Sequence, residues 1–171
     1  MNATITPTDA LPERLVNIPD ELVDRPQWVT WRSERDTKIP YSPTRRGKAK
    51  VNDPATWGTF DQAVQQFMAK QGEADQFTGI GYVFTADDPF VGVDLDDCVD
   101  GDAIHPEAMK IITALDSYAE ISPSQTGVKL WVRGRLNIKT TGTQKRMPWG
   151  GKMEIYHRGR WFACTGWEVD R

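Results

Sequence analysis

The segment Pro89–Asp102, PFVGVDLDDCVDGD, joins a short apolar run to a cluster of carboxylates. Residues i and i+2 of a β-strand lie on the same face, so Asp94 and Asp96 project together, with their backbones roughly 6.5–7 Å apart. Val93 and Leu95 then point into a core. Two neighbouring carboxylates at the end of a buried strand repel each other and resist removal from water. The segment therefore predicts a strand whose charged end needs a stabilising partner.

Several kinds of site contain paired acids. A helix–loop–helix calcium site that begins at Asp94 needs Asp or Asn, Gly and Glu at its fifth, sixth and twelfth positions, where this chain has Cys98, Val99 and His105. The carboxylate pair of a glycoside hydrolase usually comes from separate elements. Two interpretations stay open: a strand end whose charges face water, and a divalent-metal site for phosphoryl or nucleotidyl transfer.

A third carboxylate is available in a second predicted strand, KMEIYH, which contains Glu154. Carboxylate oxygens from two strands are ligands that Mg2+ or Mn2+ prefers, and such ions would cancel the repulsion between Asp94 and Asp96. The window Lys129–Arg160 holds nine Lys/Arg and no acid besides Glu154. A simple salt bridge is the alternative role of this carboxylate.

The basic residues are concentrated in two windows, although the net charge of the 171 residues is −3. Arg32–Lys50 has seven Lys/Arg against two acids, and Lys129–Arg160 adds nine. If the two windows lie together in space, they form a basic surface that suits a nucleic acid. If they lie apart, they are two solvated loops.

The hydrophobic pattern predicts one α+β domain over residues 11–171 after a loose tail, residues 1–10. Short apolar and aromatic runs predict these strands: QWVTWR, TKIPYSP, GIGYVFT, FVGVDLD, AEIS, VKLWVRG, KMEIYH and RWFACTG. A capping box formed by Thr59 and Gln62 predicts the start of one helix, and Pro106 suits the first turn of another. The basic segment RLNIKTTGTQKRMPWGG is predicted to be a loop.

The N-terminus lacks the basic-then-apolar layout of a signal peptide, and no apolar run is long enough to span a membrane. We therefore expect a cytoplasmic protein with no membrane partner. Cys98 and Cys164 are too few for a disulfide framework, and reduced thiols are expected.

Three segments occur in an order that resembles a known set of motifs: FVGVDLDD, EISPSQTGVKLWVRG and MEIYHRGRWFACTG. They resemble the catalytic motifs of the archaeo-eukaryotic primase superfamily, and especially the phage- and plasmid-borne bifunctional DNA primase–polymerases. QWVTWR, TKIPYSP and DPATWGTFDQA also look like the N-terminal part of that branch. The resemblance runs from about Gln27 to Gly166. It implies an α/β unit packed on an RRM-like unit, with the active site in the cleft between them.

The resemblance also implies roles for individual residues. Asp94 and Asp96 would be the paired metal ligands of the first motif, and Glu154 would be the acid of the third. These three residues would then be catalytic and hold Mg2+ or Mn2+. The family's second motif usually ends in a histidine that contacts the phosphates of the incoming nucleotide. This chain has Lys129 there, and an ammonium group can hold a triphosphate as a point charge.

Further nucleotide-binding residues follow from the same resemblance. Ser122 and Ser124 fall in the loop that lines the triphosphate in the family. Lys38 and Arg160 are candidate phosphate contacts. The expected partners are a single-stranded DNA template with its primer, a dNTP or NTP, and a C-terminal helical or helicase region, which this chain is expected to lack.

The implied activity is template-dependent nucleotidyl transfer, with metal ions that align a primer 3′-hydroxyl with the α-phosphate. Two alternatives stay open. One is a non-catalytic single-stranded nucleic-acid-binding module of the same fold, which Lys129 in place of histidine favours. The other is a two-metal nuclease, which would shorten a labelled strand instead of extending it.

Overall fold

The computed structural model describes residues 11–170, so the predicted tail, residues 1–10, lies outside the described residues. The helices of the described part are α1 Leu11–Arg14, α2 Asp20–Val23, α3 Phe60–Ala69 and α4 Pro106–Leu115, with 3-10 turns at Leu15–Asn17 and Pro54–Thr56. None of these helices is long and apolar enough to cross a membrane.

The strands of the same part are β1 Trp28–Glu34, β2 Thr37–Tyr41, β3 Gly79–Phe84, β4 Phe90–Leu95, β5 Val99–Asp100, β6 Ala103–Ile104, β7 Ala119–Ile121, β8 Val128–Arg133, β9 Gly142–Arg146, β10 Lys152–Tyr156 and β11 Arg160–Cys164. They form a four-stranded sheet in the order β11-β3-β1-β2, a five-stranded sheet in the order β7-β8-β4-β10-β9, and the hairpin β5-β6. The neighbouring strands pair antiparallel. The predicted α+β class is confirmed.

Aromatic rings pack the two large sheets against each other. Trp131 of the five-stranded sheet lies 5.6 Å from Phe162 and 6.5 Å from Phe84 of the four-stranded sheet, measured between ring centroids. A Cβ atom on Gly92 would lie 2.6 Å from the Phe162 ring, so glycine is required where β4 approaches that ring. The other face of the five-stranded sheet forms a second core with α4, to which Ala108 and Ile112 contribute.

Both predicted helix starts are confirmed. Thr59 accepts a hydrogen bond from the backbone N–H of Gln62, whose side chain accepts one from the N–H of Thr59. This reciprocal pair satisfies two donors that a helix start leaves without partners. Pro106 occupies the first turn of α4, and the His105 side chain accepts a hydrogen bond from the N–H of Glu107.

The differences from the prediction include the bounds of β1 and the presence of β9. β1 begins at Trp28 and continues to Glu34, because its last residues pair with β2. The predicted loop RLNIKTTGTQKRMPWGG contains β9, so that prediction was wrong for Gly142–Arg146. β9 is an edge strand whose side chains are mostly exposed, and its cross-strand hydrogen bonds therefore do not require apolar alternation in its sequence.

Candidate active site

One residue from each strand of the five-stranded sheet contributes to a row of polar side chains. The strand registers pair Gln144 with Glu154, Glu154 with Asp94, Asp94 with Lys129, and Lys129 with Glu120. Residues directly opposite each other on antiparallel strands lie on the same face. We call these five residues the polar row. The sequence places acids on β4 and β10, and the register brings them side by side.

Asp94 lies near the centre of the polar row and forms an ion pair with Lys129. The side chains are 13% and 10% exposed, so both charges are largely removed from water. The second carboxylate oxygen of Asp94, Oδ1, is buried and accepts no hydrogen bond from the described residues. A buried oxygen without a donor is costly, and it leaves a lone pair with which Asp94 can bind a cation.

Asp96 follows the end of β4 and lies on the same face as Asp94. Its backbone N–H donates to the carbonyl of Lys152 over 2.9 Å, which extends the pairing of β4 with β10 by one residue. The Lys152 Nζ atom lies 3.5 Å from Asp96 Oδ2 and 2.9 Å from Glu154 Oε1. Two lysines therefore neutralise part of the charge of three carboxylates, which explains how the end of β4 tolerates its acids.

The acids differ in their tendency to ionise. Burial raises the pKa of Asp96, and repulsion from Asp94 and Glu154 adds to this effect. Burial also opposes the ionisation of Glu154, but hydrogen bonds with Lys152 and Tyr156 outweigh it and lower the pKa of Glu154. The repulsion shows that the acids of neighbouring strands interact electrostatically.

A cavity of about 190 Å³ opens beside the polar row. Asp94 and Glu154 line it together with three cations, Lys38, Lys129 and Arg160. The aromatic residues of its wall are Tyr156, Trp161 and Phe162. The Lys129 ammonium lies 4.7 Å from the centre of the Phe162 ring, and the Arg160 guanidinium lies 4.9 Å from that of Tyr156. Carboxylates, cations and aromatic rings in one cavity suit a ligand that carries both phosphates and a ring.

The two basic windows meet at this cavity through Lys38 and Arg160. Burial lowers the pKa of Lys38, and the neighbouring charge of Lys129 contributes to the shift. Other cations of the first window lie elsewhere: Arg32, Arg45 and Arg46 line a separate cavity of about 290 Å³ that also contains Lys70 and Asp75. The windows therefore share one site without forming a single continuous basic surface.

The donor set suits a hard divalent cation, although the acids are not arranged as a metal cluster. Within residues 11–170, no three His, Cys, Asp or Glu side chains are grouped closely enough to hold a metal ion, and Lys129 and Lys152 pair with the carboxylates instead. Carboxylates on one face of two paired strands and the buried Oδ1 of Asp94 are the features that fit Mg2+ or Mn2+.

Two glycines hold the backbone at the end of β4. A Cβ atom on Gly151 would lie 2.0 Å from the carbonyl oxygen of Asp96, and one on Gly127 would lie 2.6 Å from that of Leu95. The Trp149 indole N–H also donates to the Asp96 carbonyl over 2.8 Å. The segments that follow β7 and β9 thus fix the position of Asp96, a feature that the sequence did not reveal.

Replacing Gly151 with alanine is expected to lower thermal stability, because the new methyl group overlaps the Asp96 carbonyl. Overpacking of this kind costs about 1–3 kcal/mol, which lowers the Tm of a domain of this size by about 2–12 °C. The Tm measured by circular dichroism checks the prediction. Gly134→Ala is the matched control, since nothing lies within 4 Å of a Cβ atom there. Equal Tm values for the two variants would contradict the close approach.

Ser122 and Ser124 lie outside the lining of the cavity and stabilise their own loop. Their hydroxyls are 2.9 Å apart, the Ser122 hydroxyl accepts the N–H of Gly127, and the Ser124 hydroxyl lies 2.9 Å from that of Thr126. At the end of this loop, Gly127 approaches the backbone of β4, since a Cβ atom there would lie 2.6 Å from the Leu95 carbonyl oxygen. A role of these serines in nucleotide binding stays a prediction.

Glu120 is a buried acid of the polar row that the sequence analysis missed. Its side chain is 0% exposed and accepts hydrogen bonds from the N–H groups of Thr165 and Gly166 and from the Tyr118 hydroxyl, at 2.8, 3.0 and 2.8 Å. Burial raises the pKa of Glu120 to about 7. The one available signal was an acid between Ala119 and Ile121 in an apolar run.

Comparison with known proteins shows a sequence similarity to a phage DNA primase-polymerase. No protein-family model matches the chain. The chain is 39% identical over 142 residues to the DNA primase-polymerase of Nitratiruptor phage NrS-1. The match covers 82% of this chain and 19% of the phage protein, so the chain spans about a fifth of that relative. The chain is thus related in sequence to one part of a DNA primase-polymerase.

Proposed function

We propose that this chain is a nucleotidyl-transfer module for DNA synthesis, with its active site at the polar row. The cavity lined by Asp94, Glu154, Lys38, Lys129 and Arg160 is the observation that carries the proposal. Its acids suit a divalent cation, and its cations suit the phosphates of a nucleotide. The similarity to a phage DNA primase-polymerase supports the same reaction. We also infer that the two packed sheets correspond to the two units of the archaeo-eukaryotic primase fold.

Asp94, Asp96 and Glu154 would hold Mg2+ or Mn2+ after releasing Lys129 and Lys152, with which they pair in this structure. The metal, when bound, stabilises the negative charge that develops on phosphate oxygens. The protein's own groups have separate tasks. Lys129, Lys38 and Arg160 line the cavity with these acids and would bind the triphosphate of a dNTP or NTP. The partly buried position of Asp94 and Lys129 strengthens their electrostatic interactions.

Residues around the acids keep them in place during this reaction. The carbonyl of Asp96 is fixed by the Trp149 indole and by the close approach of Gly151. The Tyr156 hydroxyl contributes to keeping Glu154 ionised, since its hydrogen bond lowers the pKa of that acid. Acids that are ionised and oriented before the ligand arrives lower the reorganisation that the reaction requires.

A non-catalytic module that binds nucleic acid is the second candidate. It is favoured by the ion pair of Lys129 with Asp94, which takes up one carboxylate oxygen that a metal ion would need. In this reading, the polar row is a structural network and the basic windows supply the binding surface.

Primer extension separates the two candidates. The unaltered chain is incubated with a 5′-labelled primer on a single-stranded template, with dNTPs or NTPs and with Mg2+, Mn2+ or EDTA. We expect the primer to be lengthened in the presence of a divalent metal and unchanged in EDTA. Binding of the template without addition of a nucleotide in any metal would support the binding module, and shortening of the primer would indicate a nuclease.

The helical or helicase region expected from the resemblance stays a prediction.

A further inference from the structure

Arg146 of β9 lies directly opposite Lys152 of β10. Like charges in directly opposite positions of antiparallel strands are destabilising, because the Cβ atoms are only about 4.5–5.5 Å apart. Lys152 is compensated by Asp96 and Glu154. Arg146 forms no hydrogen bond or ion pair with the described residues, and its side chain is exposed. The charge of Arg146 is therefore not compensated by this part of the protein.

The surroundings of Arg146 offer no acid along the chain. The segment from Arg133 to Met153 contains no Asp or Glu. Cations on edge strands often serve to prevent aggregation, and such a role does not depend on which face of the sheet they occupy. Arg146, however, lies on the face of the polar row, since residues i and i+2 of a strand share a face and Gln144 belongs to the row.

The position of Arg146 relative to the acids is set by strand geometry. Arg146 lies two residues after Gln144, which is roughly 6.5–7 Å along β9. Gln144 lies directly opposite Glu154. Arg146, Lys152 and Gln144 thus present a guanidinium, an ammonium and an amide beside the acids of the candidate active site. A guanidinium binds phosphate through two parallel hydrogen bonds.

We infer that Arg146, together with Lys152 and Gln144, binds a backbone phosphate of a single-stranded DNA that lies along β9 beside the polar row. The inference rests on the proposed function, because it assigns a surface to the template or primer of that reaction. A phosphodiester of the strand and a phosphate of the free nucleotide share this chemistry, and the experiment separates them.

Lys145 supplies a matched control on the same strand. It lies directly opposite Met153, whose side chain packs against the second core, so Lys145 projects from the other face of the sheet. Both Lys145 and Arg146 are exposed cations. A general effect of net charge on DNA binding would be equal for Lys145→Ala and Arg146→Ala, whereas a phosphate contact on the face of the polar row affects only the second variant.

The test is the fluorescence anisotropy of a labelled single-stranded oligonucleotide, titrated with the unaltered chain and both variants in EDTA at several KCl concentrations. Each phosphate contact contributes about 0.7 to the slope of log K against log[salt] for a single strand. We expect Arg146→Ala to weaken binding about three- to tenfold at low salt and to lower the magnitude of the slope by about 0.7. Lys145→Ala is expected to leave both nearly unchanged.

Two results would overturn the inference. One is equal slopes and affinities for the two variants. The other is an Arg146→Ala variant that binds labelled dATP more weakly but binds the oligonucleotide normally, since the site would then belong to the nucleotide. The assay needs neither metal nor turnover, so a chain that fails to extend primers can still confirm the DNA contact. Tm values no lower than that of the unaltered chain show that both variants remain folded.

Discussion

Replacing Asp94 with asparagine is expected to reduce primer extension by on the order of a thousandfold, because removal of a metal ligand forfeits about 4 kcal/mol of transition-state stabilisation. Asp94 is the central acid of the polar row and lies next to Glu154 on β10. Its buried Oδ1 atom has no hydrogen-bond donor among the described residues. Asparagine keeps the shape of the side chain and removes its charge, so the loss would report on cation binding.

The measurement is the rate of single-nucleotide addition to a labelled primer at saturating Mg2+ or Mn2+. Asp97→Asn is the matched control, since Asp97 is a neighbouring exposed acid outside the polar row. Its backbone is left-handed, with φ of 55°, a conformation that asparagine tolerates well. We expect Asp97→Asn to extend the primer at nearly the unaltered rate.

Asp94→Asn also leaves the Lys129 ammonium without its carboxylate, so folding must be checked alongside activity. A circular dichroism spectrum like that of the unaltered chain shows that the loss of extension is chemical. Extension at an undiminished rate by a folded Asp94→Asn chain would contradict the assignment of Asp94 as a ligand.

Local sequence pattern predicted which acids share a face, because strand alternation is a local property. Asp94 and Asp96 share a face whichever strands pair with β4. Glu154 can join them if its own strand belongs to the same sheet. The sequence could not supply the register, which determines that Glu154 lies opposite Asp94. It also could not reveal that Lys129 pairs with Asp94, since that contact depends on which strand lies beside β4.

The features that sequence analysis missed depend on contacts between distant segments. Glu120 is stabilised by backbone donors at Thr165 and Gly166, more than forty residues along the chain. The apolar run around Glu120 does not predict those donors. β9 was predicted as a loop because an exposed edge strand such as GTQKR has no apolar face, although it pairs fully with β10. The DNA contact inferred for Arg146 and Gln144 depends on that pairing, which the sequence alone does not predict.

The free energy of unfolding is expected to fall as the pH rises from 5 to 8, because of Glu120. The pKa of this acid is about 7 in the folded chain and 4.5 when it is unperturbed. Between pH 4.5 and pH 7, the folded chain therefore binds more protons than the unfolded chain. The stabilisation is therefore complete below pH 4.5 and is lost as the pH rises through 7, for a total of about 3 kcal/mol.

Urea denaturation at pH 5, 6, 7 and 8 of the unaltered chain and of Glu120→Gln measures this dependence. Burial also raises the pKa values of Asp88 and Asp96, which act in both chains, so the difference between the two curves isolates Glu120. Between pH 5 and pH 8, we expect the free energy of unfolding of Glu120→Gln to change by about 2–3 kcal/mol less than that of the unaltered chain. The variant should also be about 1–3 kcal/mol less stable at pH 5, because an amide nitrogen cannot accept from a backbone N–H as a carboxyl oxygen does.

Glu168→Gln is the control for this prediction. Glu168 is an exposed acid close to Thr165 and Gly166 in the chain, so its replacement should leave both the stability and its pH dependence nearly unchanged. If Glu120→Gln kept the full pH dependence of the unaltered chain, the two backbone donors and the Tyr118 hydroxyl would outweigh burial. Glu120 would then be ionised at neutral pH and would place a permanent negative charge beside Lys129, in competition with Asp94 for the same ammonium group.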